Sequence, residues 1–381
     1  GSYCARKSDD QLVGEECSAI VGNTDIGCCV RRCRNRASAI HSANSVMTLA
    51  RGFTLLEWML ATTIGLFLLA GIFSLYVASR NNTHQLQTYN ELQENGRLAM
   101  NLLLQDLRQT GFFGDNSGQV LRLNDAVTSR IKLTVGNDCR DERGEHGGTF
   151  PSSDADGALR PFLARHTNHN GVLNADLSCL QHIQLQPDSD VLALKRVVGA
   201  PINYPNIVLN PLRIYLAGNV NQALFFAGKE RDLKGLVTHL AGAKIWEYQH
   251  HVYYVQEVSG VPELRLIQLT DQMRATYSLP LVQGVEKIRI LLAVDESIPA
   301  DGIADVYLPP EKISPAIWNT FAITGLRLFL LVRAQERSLG YRNEQIYQLG
   351  DLSLPPFNDN YQRLLLQSSV QFRNARAEVT H

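Results

Sequence analysis

The stretch R-G-F-T-L-L-E, Arg51 to Glu57, runs directly into W-M-L-A-T-T-I-G-L-F-L-L-A-G-I-F-S-L-Y-V-A-S, Trp58 to Ser79. No charged residue occurs from Trp58 to Ser79, and Arg51 and Arg80 flank the apolar run. At about 1.5 Å of rise per residue, roughly 22 helical residues span about 33 Å, enough to cross a hydrocarbon core. Glu57 sits inside the edge of this run. A carboxylate at that position costs roughly 3 kcal/mol on insertion scales unless it is neutralised or paired. The sequence therefore asks for a partner to Glu57.

Gly52, then Phe53, then Glu57 four residues on, then an unbroken apolar helix, resembles the class III signal of type IV prepilins. In that family a membrane peptidase cuts after the glycine and N-methylates the new first residue. The resemblance implies cleavage between Gly52 and Phe53, N-methylation of Phe53, and pairing of Glu57 with the N-terminal amine of a neighbouring subunit. Two charges that are each unfavourable in lipid become tolerable together, and only in the correct stagger. A pair within one chain, one helical turn apart, is the alternative. An ordinary single-pass anchor with a chance Glu is the other reading.

The chain has 381 residues, 45% of them hydrophobic, and a formal net charge of −1. That length supports one or two domains with real cores, and the charge balance argues against a nucleic-acid partner. Five of the seven cysteines, Cys4, Cys17, Cys28, Cys29 and Cys33, precede the apolar run; Cys139 and Cys179 follow it. Cleavage after Gly52 would leave those two, which could pair in an oxidising periplasm. Residues 1–46 carry the basic cluster R-R-C-R-N-R, Arg31 to Arg36, without the paired C-x-x-C spacing of a zinc module. Met47 opens M-T-L-A-R-G, by itself a complete short leader. Met47 is the expected natural start, and a long cytoplasmic leader is the competing reading; both leave these residues out of the mature protein. Arginines ahead of the apolar run place its N-terminal side in the cytoplasm. The expected division is a leader and upstream segment at 1–52, an N-terminal helix at 53–110 and a periplasmic head at 111–381. Within the helix, 53–79 would span the membrane and 80–110 would form an amphipathic stem.

Leu86, Tyr89, Leu92, Met100, Leu103, Leu104 and Leu107 recur at helical intervals among Gln, Asn, Glu and Arg. No proline interrupts Phe53 to Phe150, and Gly111 and Gly114 stop the pattern. Gly65 and Gly71 would weaken the helix locally or allow close helix approach in the membrane. The segment D-L-R-Q-T-G-F-F-G, Asp106 to Gly114, resembles the stem end of the PilW group of minor pilins, which is similar to the J-type pseudopilins of type II secretion. Three later stretches agree: S-D-V-L-A-L-K-R at Ser189 to Arg196, L-V-Q-G-V-E-K-I-R-I-L-L-A-V-D at Leu281 to Asp295, and G-L-R-L-F-L-L-V-R at Gly325 to Arg333. R-L-L-L-Q-S-S-V-Q-F-R-N, Arg363 to Asn374, completes a resemblance that runs from Met47 nearly to the end.

Beyond the helix the pattern is mostly β. Strands are expected at Val191–Leu194, Val252–Val255, Leu264–Leu269, Ile288–Val294, Leu326–Val332 and Ser369–Phe372, each short and rich in branched or aromatic residues. Around Val285 to Arg289, apolar and charged residues alternate imperfectly. Asn137 to Asn174, rich in Gly, Asp, His and Asn, and Ile298 to Trp318, with four prolines, read as loops grafted on one pilin-type sheet. The fold class is α+β: a long N-terminal transmembrane and amphipathic helix packed on a large β-rich head.

No G-x-S-x-G, P-loop or H-E-x-x-H occurs. His250 and His251 are adjacent and would point to opposite faces of a strand. His166 and His169 read as solvated loop residues. The PilW group often carries an acidic calcium-type loop after the strand matched by Ile288 to Asp295. Here Asp295, Asp301, Gly302 and Asp305 remain around E-S-I-P-A, a poor cage for an ion that needs six to eight oxygens, and Asp154, Asp156 and Gly157 are a shorter echo. No metal or cofactor is expected. The resemblance implies a non-enzymatic minor pilin that helps prime type IV pilus assembly in a tip complex. Its expected partners are other minor pilins, the major pilin, a tip adhesin, the prepilin peptidase and the inner membrane. The alternatives are a type II secretion pseudopilin and a membrane-anchored periplasmic enzyme or binding protein.

Overall fold

A computed structural model describes residues 54–117, 121–122, 127–131, 160–173, 177–180, 182–203, 208–230, 235, 240–268, 278–298, 301–318, 322–338 and 340–374. Helix α1 covers Leu55–Leu107, 53 residues without a break. The chain divides within it into two compact units, Gly1–Phe67 and Leu68–His381. In the second unit Leu92, Ala99, Met100, Leu103, Leu104 and Leu107 are buried at the i, i+3, i+4 spacing of one helix face. Leu86 and Tyr89, expected on the same stripe, are instead exposed. The helix stops where the sequence places glycine. Gly111 adopts φ +74°, and its N–H donates to the Lys195 carbonyl at 3.1 Å, turning the chain onto the sheet.

The described strands form three sheets rather than the single sheet expected. The largest has eight strands: β1 Val127–Ser129, β2 Phe162–His166, β3 Asp190–Val197, β4 Ile214–Gly218, β5 Ala223–Ala227, β6 Lys244–Val258, β7 Val261–Gln268 and β8 Ser278–Gln283. Their order is β1-β5-β4-β6-β3-β2, with β7 beside β6 and β8 beside β7. The 15-residue β6 is its spine, pairing with β3 along one edge and with β4 and then β7 along the other. The second sheet, β10-β9-β11-β14, is antiparallel and comprises β9 Val285–Val294, β10 Val306–Leu308, β11 Ile323–Arg333 and β14 Arg363–Gln371. β12 Tyr347–Leu349 and β13 Leu352–Leu354 form a hairpin. Each expected strand lies within, or within a residue of, one of these. Two expected loops need correction. Phe162, Leu163 and Ala164, inside the polar excursion at 137–174, are buried in β2. The segment 298–318 contains β10 and a short helix, α2, at Pro315–Trp318. The main core gathers α1, the eight-stranded sheet and β9, β11 and β14, through residues such as Leu103, Leu192, Tyr254, Ile290 and Leu328.

Strand β9 accounts for the imperfect alternation of its apolar and charged residues. Ile288, Ile290 and Leu292 enter the main core, yet Glu286, Lys287 and Arg289 are buried too. Each is matched. Arg289 makes two parallel bonds to Asp351 at 2.9 and 2.8 Å, reaches Glu311 at 2.6 Å and bonds Asp190 at 3.1 Å. Burial alone would raise the Glu311 and Asp351 carboxyls, but Arg289 holds both below their usual range. Lys287 donates to the Pro187 carbonyl at 2.7 Å. Glu286 is the extra residue of a bulge between Lys287 and Val285 and accepts two bonds from Arg363, at 2.6 and 3.0 Å. These charges fasten β9 to β3, to the segment before α2 and to the β12–β13 turn.

The end of α1 is fixed by a charge of its own. Asp106 lies in the last turn, where the helix dipole disfavours an anion. It is buried, and the head compensates it. Arg196 of β3 donates Nε to Oδ1, and Oδ2 meets His251 Nδ1 and the Tyr253 hydroxyl, both from β6, at 2.7 Å each. Burial would raise the Asp106 carboxyl, but the hydrogen bond and charge of His251, the charge of Arg196 and the Tyr253 hydroxyl outweigh it and hold the group well below the usual carboxylate range. Burial and the adjacent Asp106 charge push the Tyr253 phenol up. Asp106→Asn should destabilise the head by about 3 kcal/mol at pH 7, because it leaves Arg196 without its counter-charge. A carboxyl depressed in the folded state contributes stability above about pH 4 and loses it as pH falls toward the folded value. The difference between wild type and variant in denaturant melts of the detergent-solubilised chain should therefore shrink below pH 4; a difference independent of pH would contradict this role.

Candidate functional site

The start of α1 is built by four residues, T-L-L-E. Thr54 is the N-cap. Its N–H and hydroxyl both donate to Glu57 Oε2, at 2.9 and 3.1 Å, and the Glu57 N–H donates back to Thr54 Oγ1 at 3.2 Å. This is a reciprocal capping box, in which the third helical residue and the cap satisfy each other's backbone donors. The Trp58 N–H closes the first turn on the Thr54 carbonyl at 3.2 Å. Such a cap is worth about 1 kcal/mol in water, and the Glu57 charge also favours the positive end of the helix. At the edge of a bilayer, where an unmet N–H has no water to turn to, the cap matters more. The spacing Thr-x-x-Glu that signals this cap stands openly in the sequence, beside the amine partners that the resemblance implies for Glu57. Gly52 and Phe53 lie outside the described residues.

Above the cap the helix is an apolar sleeve. Leu55 is 78% exposed and Phe67 80%, and Trp58, Leu60, Ile64, Leu69, Ile72 and Phe73 are exposed as well. Nothing among the described residues covers them. By length and composition, α1 is long and apolar enough to cross a membrane. The polar groups within the sleeve are turned inward on the backbone: Thr62 Oγ1 donates to the Met59 carbonyl at 2.9 Å, and Thr63 Oγ1 to the Met59 and Leu60 carbonyls at 3.0 and 2.9 Å. A side chain at Gly65 or Gly71 would meet nothing within 4 Å, so neither glycine serves packing inside this chain. The sleeve therefore offers a surface that only lipid or other apolar helices can cover.

The remaining residues singled out from sequence do not join this site. Cys179 is disulfide-bonded, and Cys139 lies outside the described residues. His250 and His251 do sit side by side on β6, and His251 is committed to Asp106. His166, expected in a solvated loop, ends β2 and binds Asp190 at 2.6 Å, whereas His169 is exposed and meets Asp188 at 2.7 Å. In the acidic loop, Asp295 accepts from the Ser297 and Gly302 N–H groups at 3.0 and 2.7 Å, and Asp305 from the Glu296 N–H at 2.8 Å. These carboxylates are spent on the loop backbone. Asp154, Asp156 and Gly157 lie outside the described residues.

A search of curated proteins gives no match. Among solved structures, a type IV-like pilin, TTHA1219 from Thermus thermophilus, aligns at 14% identity over 74% of this chain and 98% of its own, with a TM-score of 0.30. The sequence model of the family described as Type IV Pilus-assembly protein W matches residues 252–374, which run from the second half of β6 through β14. This match agrees with the PilW-type resemblance read from Leu281–Asp295, Gly325–Arg333 and Arg363–Asn374, and over those residues the chain carries the sequence pattern of a type IV pilus-assembly W protein.

Proposed function

We propose that this chain is a minor pilin that helps prime type IV pilus assembly. The observation that carries the reading is the start of α1: a capped carboxylate at the head of an uncovered, charge-free sleeve, on the same helix that is locked by Asp106 into a β-rich head. The prepilin peptidase would cut between Gly52 and Phe53 and methylate Phe53. The span would sit in the inner membrane with the head in the periplasm, and would then move to the pilus tip. Its partners would be other minor pilins, the major pilin and a tip adhesin, which cover the sleeve as lipid is left behind. The role is structural, and no catalytic step is assigned to the head.

Glu57 would carry the selectivity of that exchange. Oε2 takes both Thr54 donors, and no hydrogen bond to Oε1 occurs among the described residues. A neighbouring N-terminal ammonium could bind the carboxylate without dismantling the cap. Glu57→Gln tests this cleanly, because glutamine also completes a capping box. The variant should insert and keep its head folded, while recovery of partner pilins with the solubilised protein falls about tenfold, the loss of one charge-assisted contact worth about 1.4 kcal/mol. Unchanged partner recovery together with unchanged piliation would remove the assembly role.

Cys139 is proposed as the partner of Cys179. Closing roughly 40 residues would constrain the unfolded chain by about 4 kcal/mol in the entropy model. Peptide mapping without reductant, on protein taken from the periplasmic face, should return one bridged Cys139–Cys179 peptide; two alkylatable thiols would refute the bridge.

A further inference from the structure

Strand β14, Arg363–Gln371, ends one side of the second sheet: it pairs with β11 and with no other strand among the described residues. The register shows which of its main-chain groups that pairing uses. The Ala334 N–H donates to the Gln362 carbonyl at 2.9 Å and the Phe372 N–H to the Thr324 carbonyl at 2.8 Å, at the two ends of an unshifted ladder. Bonded pairs recur at every second residue of an antiparallel ladder, so Leu364, Leu366, Ser368 and Val370 turn their N–H and C=O groups to β11. Leu365, Gln367, Ser369 and Gln371 turn theirs outward, where these main-chain groups meet no partner among the described residues. Gln367, Ser369 and Gln371 are exposed.

Long sheet edges are usually guarded by Lys, Pro, a bulge or a covering loop. β14 is nine residues long and keeps one register against β11, and Leu364 to Phe372 contains no charged residue and no proline. The edge itself sets what can complete it: outward donors and acceptors at strand spacing match another extended main chain. Direction then selects the chain. Leu92 of α1 clusters with Leu364 and Leu366, Gly96 has no room for a side chain beside Leu366, and past the end of α1 the Thr110 carbonyl accepts from Asn374 Nδ2 at 3.2 Å. The later part of α1 and β14 therefore run side by side in the same direction. Copies of this chain whose α1 helices share one membrane have every β14 pointing the same way, so none offers its β14 as an antiparallel partner to the next. That exclusion rests on the membrane placement proposed above; the open edge does not.

We propose that β14 is completed by an extended segment of a different protein, added antiparallel and so running against the direction of α1. Cross-strand neighbours define its chemistry: apolar opposite the half-buried Leu364, Leu365 and Leu366, polar and uncharged opposite the exposed Gln367, Ser369 and Gln371. The main-chain bonds hold the segment, and the side-chain neighbours set its register.

The test places the photocrosslinking residue p-benzoylphenylalanine at position 367, and separately at 371, of the full-length protein in its native membrane. Each should give one dominant adduct, both on the same segment of another protein. The adduct from 371 should map about four residues nearer the N-terminus of that segment than the adduct from 367, the order an antiparallel strand imposes. Ser369→Pro should lower the yield from 367 about tenfold, because it removes an outward N–H while leaving every bond to β11. Ser369→Lys keeps the backbone and should lower the yield as well, since an edge lysine opposes strand addition. Ser369→Ala should leave it unchanged. Thermal unfolding of the Lys and Ala variants should match wild type, because Ser369 is exposed. The order of the adducts reads the edge alone and does not depend on processing at Gly52 or on Glu57. Adducts on a second copy of this chain, adducts in the opposite order, no adduct at all, or a yield indifferent to Ser369→Lys would each overturn the proposal.

Discussion

Everything in this molecule follows from one mismatch along α1: the same unbroken helix carries a face the chain buries completely and a stretch it does not bury at all. From Leu92 to Leu107 the apolar residues meet the sheets and reach the core. From Leu55 to Val77 they are exposed among the described residues. An apolar surface of that length is costly in water, and by length and composition the exposed stretch suits a membrane or an assembly of helices. The head has the opposite task. It buries the C-terminal part of α1 against the sheets and holds its end through Asp106.

The polar residues divide along the same line. In the sleeve, polar groups are silenced locally, Thr62 and Thr63 on the helix backbone and Glu57 on Thr54. In the head, charges are buried and paired across elements. Asp106 ties the helix end to β3 and β6, Arg289 ties β9 to β3 and to two loops, and Arg363 ties β14 to the bulge at Glu286. Buried pairs of this kind add less net stability than apolar packing would, but removing one partner is costly, so they penalise every wrong arrangement of the sheets.

Much of this was legible in the sequence, and what was not has physical causes. The helix was plain because its two signals, an apolar run and then a 3.6-residue period, are long and local. The centres of β3, β6, β7, β9, β11 and β14 were plain because branched residues cluster there. The grouping of strands into separate sheets was not, since strand pairing is a long-range choice that no local pattern records. β2 hid because Phe162–Ala164 is a short apolar island in a polar excursion. The burial of Lys287 and Arg289 was not legible because a buried cation looks like an exposed one until Asp351, Glu311 and Pro187 are brought to it by the fold. Asp106 stood inside a recognised motif without a role for the same reason: its partners are about 90 residues or more away. The Thr54–Glu57 cap, by contrast, was fully local and could have been read.

The central proposal is that α1 begins as a processed assembly helix, which would leave its cap and its carboxylate at the new terminus. Intact mass and N-terminal peptide sequencing of the mature chain, purified from membranes of cells with an active prepilin peptidase, test it most directly. The account predicts a chain that starts at Phe53 and carries one added methyl group on its terminal amine. A mature chain that still contains Gly52 or any residue before it would contradict the account.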